Sequence, residues 1–102
     1  LSPMTVRWAM ADHSGTARGI AHPGDGYSWN LFNPVRIADG LSLYPGSIGD
    51  FAWGGITGPR YFADPKEKLI GIVFMQGPSQ RAAYHAELRA LVYGAVMTPL
   101  AK

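Results

Sequence analysis

The chain of 102 residues contains no cysteine. Disulfides, thiolate metal sites and cysteine nucleophiles are therefore all excluded. Charge is also scarce: 16% of residues are charged against a hydrophobic fraction of 47%. A disordered segment needs the opposite balance. The 9 Lys and Arg residues exceed the 7 Asp and Glu residues by only two, and they are scattered singly. The clustered basic charge that marks a nucleic-acid-binding surface is missing, so no nucleic-acid partner is expected. No apolar run is long. The longest, residues 69–75, falls far short of the ~20 residues of a membrane-spanning helix, and no membrane partner is expected. The opening Leu1-Ser2-Pro3 carries neither an initiator Met nor the charged-then-apolar pattern of a secretion signal. It reads as a piece that begins in mid-sequence.

Glycine and proline, by contrast, are plentiful, with 13 and 8 residues. They show no collagen period, so they mark many turns and close backbone approaches. The length allows a single domain over residues 1–102 with a modest core. Ser2-Pro3 predicts a helix start, because Ser caps free N–H groups and Pro suits the first helical position. Val6, Ala9 and Met10 give that helix a short apolar face, and Asp12, Ser14 and Gly15 stop it. Residues 15–26 are loop-like and end in the turn cluster His22-Pro23-Gly24-Asp25-Gly26. Residues 27–32 alternate large apolar and polar side chains, the period-2 mark of a strand, which Asn33-Pro34 ends.

In the second half, Phe51-Ala52-Trp53 predicts a strand running into the turn Gly54-Gly55-Ile56-Thr57-Gly58-Pro59. Residues 60–63 form the next strand. Asp64-Pro65-Lys66-Glu67 fits a type I turn, with Asp first and Pro second. Residues 69–75 lack alternation, as in a strand covered on both faces. Pro78-Ser79 predicts the start of a final helix that runs to about Met97. Its apolar stripe is Tyr84, Leu88, Leu91, Val92, Ala95 and Val96, with Arg81, His85 and Arg89 towards the other side. The expected class is α+β: an antiparallel meander with a C-terminal helix packed on it.

A complete catalytic set is not present. None of Ser2, Ser14, Ser28, Ser42, Ser47 and Ser79 lies in G-x-S-x-G or S-x-x-K. Ser28-Trp29-Asn30 matches S-x-N only superficially, on a strand pattern. Asp12-His13-Ser14 names a triad's residues in a row, but triads assemble from distant segments, so it reads as a helix-terminating turn. His13, His22 and His85 lack the spacing of a metal site, and neither metal nor cofactor is expected. Gly24-x-Gly26 lacks the following helix of a phosphate loop. Trp53-Gly54-Gly55 is different. Two glycines inside a strand ask for a reason. One reason is a bulge before the turn. Another is a backbone that lines an active site, with the Ile56 N–H next in line to donate to an oxyanion.

Residues 49–76, G-D-F-A-W-G-G-I-T-G-P-R-Y-F-A-D-P-K-E-K-L-I-G-I-V-F-M-Q, resemble the C-terminal strands of class C β-lactamase-like serine hydrolases. That family includes the family VIII carboxylesterases and is related to the penicillin-binding peptidases. Residues 86–96, A-E-L-R-A-L-V-Y-G-A-V, look like its closing helix, and the opening L-S-P-M-T-V resembles the segment that leads to the strands. The resemblance is most specific in D-P-K-E and its flanks. It implies that Trp53, Gly54 and Gly55 form the third active-site motif and that the Ile56 N–H is an oxyanion donor. The family's Ser and Lys of S-x-x-K and its Tyr of Y-x-N have no counterpart here, so they are expected upstream of Leu1. Trp53 stands where β-lactamases and carboxypeptidases usually carry Lys, a cation that helps hold a substrate carboxylate. Its absence favours esterase-like activity. Ala52 is a mild departure from the Gly often found there. The implied reading is a C-terminal fragment, silent alone, of an enzyme that takes a small acyl ester or a β-lactam-like substrate. It would need the N-terminal portion or another chain to complete its sheet. A non-enzymatic binding or assembly module that kept the fold is the alternative.

Overall fold

The computed structural model of the chain describes residues 1–15 and 23–100. Part of the expected loop over residues 15–26, with His22, lies outside the described residues. Helix α1 spans Pro3–Met10, and Ser2 caps it by accepting the Thr5 N–H at 3.1 Å. Five strands follow: β1 Tyr27–Trp29, β2 Pro34–Arg36, β3 Phe51–Gly54, β4 Arg60–Asp64 and β5 Leu69–Val73. They form one antiparallel sheet in chain order, and helix α2, Arg81–Gly94, closes the chain. The α+β meander with its C-terminal helix is thus observed.

Several sequence expectations need correction. The strand expected over residues 27–32 stops at Trp29, and a further strand begins at Pro34, where none was expected. Proline is tolerated there because it is the strand's first residue. Helix α2 begins at Arg81 rather than at Pro78-Ser79 and ends at Gly94 rather than near Met97. Strand β5 is covered on one face only. Gly71 is buried, whereas Ile70, Ile72 and Phe74 are exposed.

The ladder sets the faces. Phe62 pairs with Ala52 on one side and with Gly71 on the other. Phe62 is the largest fully buried side chain, and a Cβ on Gly71 would collide with its ring. Here glycine is needed for close approach rather than for its φ. Above Phe62 lies α2, with the Arg89 guanidinium 4.4 Å from the Phe62 ring centroid and the Tyr93 ring stacked at 5.9 Å. The helix therefore turns its basic stripe, not its full apolar stripe, to the sheet. Arg89 is its one buried residue, while Tyr84 and Leu91 face solvent.

Candidate active-site strand and its surroundings

The W-G-G segment sits at the end of β3. Trp53 pairs with Tyr61 and Gly54 with Arg60, and Gly55 starts the loop to β4. On its other side β3 meets β2 only at Val35↔Phe51. Among the described residues no strand pairs with that outer edge past Phe51. A cleft of about 350 Å³ adjoins this segment, lined among others by Trp53, Gly54, Gly55, Arg60, Arg81 and His85. A second cleft, of about 610 Å³, shares Tyr44, Trp53, Arg60 and Arg89 with it and extends to Trp29. The Trp29 and Trp53 rings lie 5.8 Å apart. Burial, then the nearby Arg89 charge, lowers the pKa of Arg60.

The two glycines also have a reason within the hairpin. A Cβ on Gly54 would lie 3.1 Å from the Pro59 carbonyl oxygen, and one on Gly55 would lie 3.1 Å from Pro59 Cγ. The loop is closed by the Gly55 N–H donating to Pro59 O at 2.8 Å and the Gly58 N–H donating to Gly55 O at 3.2 Å. Gly58 has φ 131°, a left-handed conformation that favours glycine. Ile56 lies in this loop with its side chain 76% exposed. Among the described residues its N–H has no hydrogen-bond partner.

Beneath the cleft lies an ionic cluster that the sequence reading missed. Asp50 is fully buried. Its Oδ2 accepts from Arg36 Nε at 2.8 Å, from the Ser47 N–H at 3.1 Å and from Arg89 Nη1 at 3.2 Å, and its Oδ1 accepts from the Tyr27 hydroxyl at 2.8 Å. Burial disfavours the Arg89 charge more than any one neighbour favours it, but the Asp50 charge, its hydrogen bond and the Tyr27 and Tyr93 hydroxyls together prevail and raise its pKa. Burial, reinforced by the Asp50 charge, raises that of Tyr27. A second buried carboxylate, Asp64, accepts from Ser47 Oγ and from the Tyr93 hydroxyl, both at 2.7 Å. Burial opposes its charge, yet these bonds and those from the Glu67 and Lys66 N–H groups prevail, and its pKa is lowered. The Tyr93 hydroxyl is pushed well up by burial and by that bond. Residue spacing carries no mark of either cluster, because their members come from separate elements.

Asp12 Oδ1 accepts from the N–H groups of Ser14 and Gly15 and from the Ser28 hydroxyl, which closes a turn and ties it to β1. Nε2 of His13 bonds to the Trp8 carbonyl at 2.7 Å, so the three consecutive residues form no triad. Among the described residues no serine hydroxyl hydrogen-bonds to a Lys or His side chain, and no cluster of metal-ligating side chains occurs.

This architecture has a solved counterpart. EstCE1, described as a hydrolase with promiscuous acyltransferase activity, matches with a TM-score of 0.81 at 24% sequence identity. The chain shares its fold. The match covers 92% of this chain and 25% of EstCE1, so the chain spans about a quarter of that protein's length. No protein-family model and no curated protein sequence matches. At the level of fold, the resemblance carried by residues 49–76 is borne out. In this chain Trp53 and Gly54 end β3 and Gly55 begins the loop, beside the smaller cleft.

Proposed function

We propose that this chain is the C-terminal part of a β-lactamase-like serine hydrolase, a carboxylesterase that acts on short acyl esters through an acyl-enzyme. Trp53, Gly54 and Gly55 form one wall of the substrate cleft, and the Ile56 N–H donates to the developing oxyanion. The serine nucleophile and its proton-handling Lys and Tyr come from upstream sequence. The observation that carries this reading is the edge of β3 from Trp53 onward, unpaired among the described residues, on a fold shared with a solved hydrolase. An acyl carbonyl lying against Gly54 and Gly55 meets no side chain there and can reach the unpartnered Ile56 N–H, and a donor aimed at a developing oxyanion is usually the largest single contribution to such catalysis. Trp53 in place of a Lys leaves no cation on that strand for a substrate carboxylate, which favours neutral esters.

The test is hydrolysis of p-nitrophenyl butyrate and nitrocefin by the parent gene product and by the isolated chain. The parent should turn over the ester faster than the β-lactam. The chain alone should remain at background, since none of its six serines has a base at motif spacing. Turnover by the chain that vanishes when one of those serines is mutated would overturn the assignment of the nucleophile to upstream sequence.

A further inference from the structure

The loop that carries Ile56 is held from the helix side at three successive carbonyls. Arg81 Nη1 donates to Ile56 O at 2.8 Å, the Gly77 N–H to Thr57 O at 2.8 Å, and His85 Nε2–H to Gly58 O at 2.6 Å. A carbonyl can only accept, so the His85 ring carries its proton on Nε2. Arg81 and His85 are four residues apart on α2, which puts them one above the other on the same helix face. The Gly77 contact reaches the proposed donor through rigid peptide planes, and Arg81 and His85 hold the peptides on either side of the one that Gly77 holds. In a planar peptide the C=O and the following N–H point in opposite directions, so fixing one fixes the other. The Gly77 N–H holds the Thr57–Gly58 peptide, whose own N–H donates to Gly55 O, and Gly55 O belongs to the peptide that bears the free Ile56 N–H. Hydrogen bonds in such a chain also polarise one another, so the terminal N–H is both aimed and made a better donor.

We infer that Arg81 and His85 are positioning residues, which hold the loop from α2 so that the Ile56 N–H is presented to the substrate's acyl oxygen. This rests on the esterase reading above. Both side chains also line the smaller cleft, but Arg81 Nη1 and His85 Nε2 are engaged by the loop carbonyls. Their effect should therefore fall on the chemical step rather than on substrate binding.

The experiment has two arms. In the chain itself, amide hydrogen exchange is compared for wild type, Arg81→Met and His85→Leu. The Gly58 and Gly77 amides should exchange at least ~10-fold faster in either variant, while the Phe62 amide in the middle of the sheet is unchanged, since exchange reports local opening. In the parent enzyme the same variants should lower kcat for p-nitrophenyl butyrate by about 10-fold or more with KM within about 3-fold, the pattern of an interaction used only in the transition state. Arg81→Lys and His85→Gln, which retain a donor, should recover part of the loss. An active parent whose Arg81→Met and His85→Leu variants keep wild-type kcat would overturn the positioning role, as would unchanged Gly58 and Gly77 exchange. A wild-type parent that hydrolyses no ester would instead overturn the esterase reading, and the exchange arm would still decide whether the two side chains hold the loop.

Discussion

Asp50 is the residue on which the packing of α2 against the sheet turns. It shares its two oxygens among Arg36, Arg89, Tyr27 and the Ser47 backbone. A single carboxylate therefore compensates two buried guanidinium groups. Gly46 makes the arrangement possible, because a Cβ there would collide with Asp50 Oδ2 and crowd both arginines. Asp50→Ala should cost about 3–5 kcal/mol, the usual penalty for leaving a buried charge unpaired. That is a large share of a small domain's stability, and urea unfolding should show it as a collapse of the cooperative transition. A loss below 1 kcal/mol would mean that the arginines find water or other acceptors. The pH profile belongs to the same scale. The pKa of Asp64 is lowered in the fold, so its contribution is present above the unfolded carboxylate value of about 4 and is lost as pH falls through the folded value. The pKa values of Tyr27 and Tyr93 are raised, so their contribution is present below the unfolded value of about 10 and is lost as pH rises through the folded values. Melting temperatures followed by circular dichroism should fall at both ends, below about pH 4 and above about pH 10. A flat alkaline limb would contradict the tyrosine part.

At the scale of elements, the sequence was most legible where local chemistry decides the outcome. Ser2-Pro3 set the start of α1, Asp64-Pro65 the turn after β4, and the glycine and proline residues around Ile56 the β3–β4 loop. It was least legible where tertiary partners override polarity. Arg81, His85 and Arg89 have a helical period as regular as that of the apolar stripe. A charged stripe normally faces water, but here each side chain finds an acceptor on the sheet side: Ile56 O, Gly58 O and Asp50. Strand β2 was hidden because Asn33-Pro34 reads as a stop. The W-G-G segment was visible as an anomaly, and only the resemblance gave it a role, because an open strand edge is a property of pairing that no single segment records. The corrected helix face gives a direct test. Leu88 is half-buried, and Leu88→Ala should cost about 1–3 kcal/mol, towards the low side of large-to-small core substitutions. Leu91 is 66% exposed, and Leu91→Ala should stay within about 0.5 kcal/mol, as a surface change does. Equal losses at the two positions would mean that the helix packs through its apolar stripe after all.

At the scale of the whole molecule, the two edges of the sheet differ. The β1 edge is covered, since the Trp29 N–H donates to Ser14 Oγ at 3.0 Å and the His13 N–H donates to Trp29 O at 2.8 Å. Among the described residues strand β5 pairs only with β4, and its sequence Leu-Ile-Gly-Ile-Val carries none of the charges or prolines that blunt an exposed edge. Next to that edge, on the face away from α2, Ile72 is 57% and Phe74 86% exposed. An open apolar edge that borders an apolar face is a template for strand addition, and burying it would remove both from water. The chain alone should therefore self-associate through β5 or precipitate, and under the function proposed above the upstream part of the hydrolase should suppress this by pairing with the same edge. Light scattering over a range of concentrations should find species heavier than 11.0 kDa. Ile72→Lys places a charge beside the edge without touching the Phe62 core, so it should shift the distribution towards monomer while leaving the far-UV circular dichroism unchanged. A wild-type chain that stays a monodisperse monomer and unfolds cooperatively would show that the edge needs no partner. It would favour a self-sufficient binding module over a piece of a larger enzyme.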